Sequence, residues 1–82
     1  MRIMWDEPKR LVNIDKHGLD FADLTVDFFL ASVVIPAEGG RFKAVGLIDG
    51  RARTVVFSPL GTEALSVMSF RPAGVNERKV LR

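Results

Sequence analysis

Apolar positions recur at helical spacing in the first third of the chain and fall into short runs and alternations from Val33 onward. Arg2 to Trp5 is long enough for a short opening strand. Asp6 then stands where an N-cap carboxylate would accept backbone N–H groups, and Pro8 fits a first helical turn, where its missing N–H is not needed. Leu11, Val12 and Ile14 give this first helix an apolar strip, and Gly18 is a natural left-handed stop. Asp20 caps a second predicted helix. Its buried face is Phe21, Leu24 and Phe28, at i, i+3 and i+7, with Phe29 and Leu30 extending the contact.

Val33-Val34-Ile35 opens a β-rich half, with Pro36 to Gly40 as a loop. Arg41 to Ile48 and Ala52 to Phe57 read as strands around Asp49-Gly50, a dipeptide suited to a two-residue type I′ hairpin. Ser58-Pro59-Leu60-Gly61 is the next predicted turn, Leu65 to Phe70 the last strand, and Val75 to Arg82 a short terminal helix. The predicted order is β-α-α-β-β-β-β-α, an α+β arrangement in a single domain spanning residues 1–82. A tight turn at Asp49-Gly50 pairs Ile48 with Arg51 and Arg41 with Ser58. Arg41 and Lys43 then share one face, and Arg51 and Arg53 the other. A turn of three or four residues would regroup these cations. Both faces carry apolar residues, so the first helices can cover only one; the second needs the terminal helix or a partner chain.

Eighty-two residues, 48% of them hydrophobic, support one core and exclude a disordered chain. Burial in a chain this short reaches only about 60–65% of the extended-chain surface, so unaided stability is modest. The absence of cysteine excludes a disulfide framework and thiolate chemistry. With a single histidine as well, no Cys-based or multi-His metal site is expected, and no cofactor is called for. The N-terminus has Trp, Asp and Glu where a signal peptide needs apolar residues, and no run approaches membrane-spanning length. A soluble, cytoplasmic protein without membrane contact is expected.

Charge changes that picture. Residues 1–40 hold four basic and seven acidic side chains, a balance of −3, and residues 41–82 hold eight basic and three acidic, a balance of +5. Such asymmetry suggests a polyanion or an acidic partner on the second half, against the plainer reading of scattered solvated arginines. Candidate chemistry lies in the other half. His17 stands beside Lys16 and directly before Gly18, at a predicted helix end. Histidine is the side-chain type that titrates near neutrality, and exchange of protons on a bound phosphodiester would benefit from the adjacent cation.

The run Trp5-Asp6-Glu7-Pro8-Lys9, the spaced Asn13 and Lys16-His17-Gly18-Leu19-Asp20-Phe21 resemble the N-terminal signature of the BrnT toxins, ribonucleases of type II toxin–antitoxin pairs. Arg41 with Gly46, Val55-Val56-Phe57, Ser69-Phe70-Arg71-Pro72-Ala73 and Glu77-Arg78 continue the resemblance in order. It implies a RelE-like α+β fold: a small twisted antiparallel sheet, two N-terminal helices on one face and a short C-terminal helix. It also implies a metal-independent endoribonuclease that halts growth by cutting RNA. A cognate antitoxin of BrnA type would hold it inactive, as a heterotetramer that contacts DNA only through the antitoxin.

Cleavage of RNA through its own 2′-hydroxyl needs a proton acceptor, charge stabilisation on the phosphate and a proton for the leaving oxygen. His17 suits proton transfer, Lys16 can hold a phosphate as a point charge, and Arg71 and Arg41 can add guanidinium contacts. Lys9, Lys43, Arg51 and Arg53 are further candidate RNA contacts, and Glu7 and Glu63 candidate carboxylate bases. Trp5 reads as a packing aromatic before a base-stacking platform. Two positions depart from the commoner family pattern. Ser66 stands where the last strand often has an arginine, and Gly40 stands before Arg41 in place of a glutamate, with Glu38 two positions earlier. Arg53 or Glu63 could substitute from a neighbouring strand. The rival readings are a non-enzymatic basic module that binds nucleic acid without needing His17, and a docking module whose arginines meet an acidic partner.

Overall fold

The computed structural model describes residues 1–81. β1 (Arg2–Trp5) leads into α1 (Glu7–His17), a 3-10 turn at Phe21–Asp23, α2 (Val26–Ala31) and β2 (Val33–Pro36). After a second 3-10 turn at Glu38–Gly40 come β3 (Phe42–Ile48), β4 (Arg51–Leu60), β5 (Ala64–Pro72) and α3 (Val75–Lys79). The fold is α+β, with one sheet in the order β1-β5-β4-β3-β2. The four strands after the helices pair antiparallel, as their sequence spacing predicts, and β1 joins the β5 edge in parallel.

The second predicted helix is two pieces. The Asp20 carboxylate accepts the Ala22 N–H and caps only a 3-10 turn; the chain extends at Leu24 and Thr25, and the Thr25 hydroxyl caps α2 by accepting from Phe28 N–H. Phe21, Leu24, Phe28 and Phe29 are nevertheless buried as predicted, whereas Leu30 is 76% exposed, turned off the core by the restart. Asp6 occupies the N-cap position of α1, but its side chain makes no cap bond; its backbone carbonyl accepts from Arg10. Gly18 ends α1 in the left-handed conformation (φ 69°), its N–H donating to Ile14 O at 2.8 Å.

Asp49 and Gly50 both take positive φ, 52° and 77°, the requirement of a type I′ turn, and Ile48 pairs with Arg51. The ladder stops at Phe42–Phe57, one pair short of the predicted Arg41–Ser58. Ser58, Pro59 and Leu60, expected as a turn, extend β4 instead. Proline is tolerated there because β3 has already ended: Pro59 pairs only with Leu65 of β5, so no neighbour requires its missing N–H. The terminal helix is shorter than predicted, ending at Lys79, and Arg82 lies outside the described residues.

Phe21, Leu24, Phe28 and Phe29 pack on Ala44, Val55, Phe57, Leu65, Val67 and Phe70, with Trp5 edge-on to Phe21 at 6.4 Å. Each fully buried large side chain contributes about 1.5–3 kcal/mol. Gly46 lets α2 approach β3, since a Cβ there would lie 2.5 Å from Ser32 Oγ and 3.1 Å from Phe28 Cε1.

The apolar strip expected on α1 does not face the core: Leu11 and Val12 are 57% and 58% exposed, and the buried residue of α1 is Asn13. β1 ends at Trp5, opposite Val67, leaving the outer edge of β5 unpaired from there on. Asn13 fills it as a strand residue would. Its amide nitrogen donates to Phe70 O at 2.8 Å and its amide oxygen accepts from Phe70 N–H at 3.0 Å, while a second donor proton reaches Leu19 O at 2.9 Å. The helix is thereby fixed beside β5 by a polar clamp. Asn13→Ala strands both backbone groups of Phe70 and should cost roughly 1–3 kcal/mol in urea unfolding. Asn13→Asp, which cannot donate, should also destabilise. Unchanged midpoints in both variants would remove the clamp from the stability of the fold.

Candidate active site

β5 carries a register shift: Val56 pairs with Ser69, yet the next residue of β4, Phe57, pairs with Val67. Met68 is the extra residue of a β-bulge. Bulges re-aim side chains. Leu65 and Val67 face the core before the bulge and Phe70 after it, so Met68 and Ser69 are together released from the core-facing set. They form one wall of a cleft of about 360 Å³ whose other wall is α1: Pro8, Lys9, Val12, Asn13, Lys16 and His17. Lys9, Val12, Lys16 and, one turn apart, Asn13 and His17 follow the three- and four-residue spacing that aligns helix side chains on one surface. The Asn13 clamp keeps that surface against β5.

Lys16 and His17, with Lys9, are therefore brought together. His17 makes no side-chain hydrogen bond among the described residues and sits in the last turn, where positive charge is favoured.

Across the sheet face opposite α2, Ser69 pairs with Val56 and Val56 with Lys43. Lys43 and Arg41 line a neighbouring hollow of about 340 Å³ with Glu38 and Val56. Arg71 lies two residues beyond Ser69 on the same face, paired with Thr54. Its guanidinium is held end-on by Glu77 of α3, Nη1 to Oε1 and Nη2 to Oε2, both at 2.8 Å. Glu77 also accepts from Thr54 Oγ1 at 2.9 Å and Gly74 N–H at 2.8 Å, and pairs with Lys43 Nζ at 3.2 Å. The Arg71 pairing, with help from the other donors, holds the Glu77 carboxyl far below the usual carboxylate range. Arg71 is shifted the other way by the same partner.

Other candidates fall elsewhere. Arg51 and Arg53 share the helix-covered face with Ile48 and Gly46 and line a separate hollow with Leu19, Asp23 and Asp49, as the tight-turn register predicts. Glu7 is 60% exposed and bonds Arg10 at 3.0 Å, outside the cleft. Arg10 in turn grips both oxygens of Asp20, at 2.8 and 3.0 Å, tying α1 to the turn that follows His17. That pairing, with the Ala22 N–H, lowers the Asp20 carboxyl. Glu63 lies in the β4–β5 turn beside Arg2, six positions along β5 from Ser69, and cannot serve the His17 cleft. Neither carboxylate stands beside His17.

The profile of the ribonuclease toxin BrnT of type II toxin–antitoxin systems matches residues 5–77. The chain belongs to the BrnT family. It is also similar to the crystal structure of the Brucella abortus ribonuclease toxin BrnT, with 53% identity and a TM-score of 0.85, covering 90% of this chain and 97% of that one. No curated protein sequence matches it. Membership in a family of type II ribonuclease toxins implies an antitoxin partner. No helix among the described residues is long and apolar enough to cross a membrane.

Sequence reasoning missed Ser69 and Met68 as cleft residues, and Thr54 and Glu77 as partners of Arg71. The first pair had a signal: Leu65, Val67 and Phe70 break a strict two-residue alternation, which is how a bulge shows in a strand. For Glu77 the signal was its place three residues after Gly74, where a helix-start glutamate reaches back to the N-cap N–H.

Glu77 gives this BrnT family member an acid-sensitive joint. Its folded pKa lies below the unfolded value, so its contribution to stability is complete above about pH 4.5 and falls away as pH drops below that. Glu77→Gln should cost roughly 1–3 kcal/mol at pH 7 and flatten the acid limb of the stability profile. Parallel acid limbs for the two proteins in urea titrations would contradict the assignment.

Proposed function

We propose that the chain is an endoribonuclease cleaving RNA through the substrate's own 2′-hydroxyl, without a metal ion, in the cleft between α1 and β5. The observation that carries this reading is the juxtaposition of His17, Lys16 and Lys9 on one helix surface against the bulged Met68-Ser69 segment. His17 carries proton transfer to or from the reacting oxygens. Lys16 and Lys9 offset the charge that accumulates on the phosphate, while Val12 and Met68 give the cleft an apolar side on which a base or ribose can rest. Arg71, Lys43 and Arg41 continue the cationic track across the sheet face opposite α2 and take flanking phosphates. Arg51 and Arg53, on the opposite face, are left out of this track.

Metal independence rests on the donor set: one histidine, no cysteine, and no group of three or more His, Cys, Asp or Glu side chains suited to a metal among the described residues. Cutting translated RNA in the cytoplasm would arrest growth. A BrnA-type antitoxin, dimeric through its own DNA-binding part, would form a heterotetramer with two toxins. An acidic amphipathic segment of it would neutralise the arginines of the second half and block the RNA track by occupancy.

Purified protein should cleave single-stranded RNA at undiminished rate in EDTA, leaving 2′,3′-cyclic phosphate ends. Loss of cleavage on chelation with recovery in Mg²⁺, or 3′-hydroxyl ends, would refute the mechanism. His17→Ala should lower the rate by ~10²–10⁴. Because the side chain has no hydrogen-bond partner among the described residues, the variant should melt within a few degrees of the parent. Full activity in that variant would move proton transfer to another group and favour a binding role for the cleft.

A further inference from the structure

Arg71, Lys43 and Thr54 come from three adjacent strands and converge on one point of the sheet face opposite α2, and that point is filled by the Glu77 carboxylate of α3. The donor set is a fork, an ammonium and a hydroxyl. It matches a phosphate's oxygens at least as well as a carboxylate's two. Position supports the same ligand. Arg71 is two residues beyond Ser69 on one strand face, about 6–7 Å along β5, so the site adjoins the Ser69 wall of the His17 cleft. The carboxylate is firmly bonded, but the helix that carries it is lightly docked. α3 is five residues long, buries none of its own side chains, and leaves Val75 64% exposed. Within it, Glu77 is the side chain that bonds the sheet.

We infer that Arg71, Lys43 and Thr54 form an oxyanion site for an RNA phosphate flanking the cleaved one, and that Glu77 is its resident occupant, exchanged for that phosphate when substrate binds. This rests on the ribonuclease reading of the His17 cleft. In the free protein the carboxylate neutralises two cations and satisfies the buried Thr54 hydroxyl. On exchange, phosphate oxygens take over all three contacts. Glu77 gives up its bonds to Arg71, Lys43, Thr54 and Gly74 N–H, and α3 loosens at its start. Each phosphate seated there gains less than it would at a vacant cation pair, because a carboxylate must leave. Substrate binding at this site is therefore a replacement of one anion by another.

Hydrogen exchange of the wild-type protein, with and without a 2′-deoxy-substituted, uncleavable oligonucleotide, reads the exchange directly. Gly74 N–H and the α3 amides should lose protection several-fold on saturation while β4 and β5 gain it. Oligonucleotide bound with Gly74 protection unchanged or raised overturns the exchange and leaves the ribonuclease reading standing. No binding at all overturns both. Glu77→Gln supplies the second arm: a neutral amide can keep the Gly74 and Thr54 contacts but frees both cations. The variant should bind the oligonucleotide about tenfold more tightly, with a salt slope steeper by about 0.7 for one additional phosphate neutralised. Weaker binding with an unchanged slope would show that Glu77 positions Arg71 and does not compete with phosphate.

Discussion

Everything proposed for the cleft depends on two hydrogen bonds between Asn13 and the backbone of Phe70. A helix normally holds to a sheet by an apolar stripe, and α1 has little of one turned inward, since Leu11 is exposed and Val12 lies on the open wall of the cleft. Its place is fixed by a side-chain amide that imitates a strand edge, in a buried setting where leaving the Phe70 groups unpaired would be costly. One consequence is directional. A polar clamp specifies rotation about the helix axis more sharply than apolar packing does, and Lys9, Val12, Lys16 and His17 are set on the β5 side because Asn13 is. The Arg10–Asp20 pair then fixes the exit of the helix after His17.

The same edge explains why the bulge sits where it does. β1 stops at Trp5, the clamp begins at Phe70, and Met68 and Ser69 fall between them, paired to neither. An interval without a second backbone partner is where an extra residue is easiest to accommodate. Side chains released from the core-facing alternation at that point become cleft wall. One local irregularity thus serves sheet termination and cleft formation together.

Element order, the type I′ hairpin, the split of the arginines between two faces and the aromatic core were legible because each follows from short-range pattern: the Asp49-Gly50 dipeptide, alternation, and Phe21, Leu24 and Phe28 at helical spacing. What was misread is what depends on distant partners. Pro59 looked like turn punctuation because its strand position is permissible only where β3 has already ended. The second helix looked continuous because Leu24 is buried in either conformation. Within the cleft, His17 and Lys16 were legible from composition and spacing, and Asn13 stood out only as part of a family signature. Its role needs the β5 edge, 57 residues away in sequence. Arg71 was visible as a cation, but its carboxylate partner on α3 depends on how the chain turns at Ala73-Gly74.

The central claim, that the phosphate to be cut lies between the end of α1 and the bulge of β5, is most directly tested by a crystal structure with an RNA carrying a 2′-deoxy nucleotide at the cleaved position. The scissile phosphate should be found within hydrogen-bond reach of His17 and Lys16, against Ser69. A phosphate chain lying along Arg51 and Arg53 on the helix-covered side, with the α1 cleft empty, would contradict it.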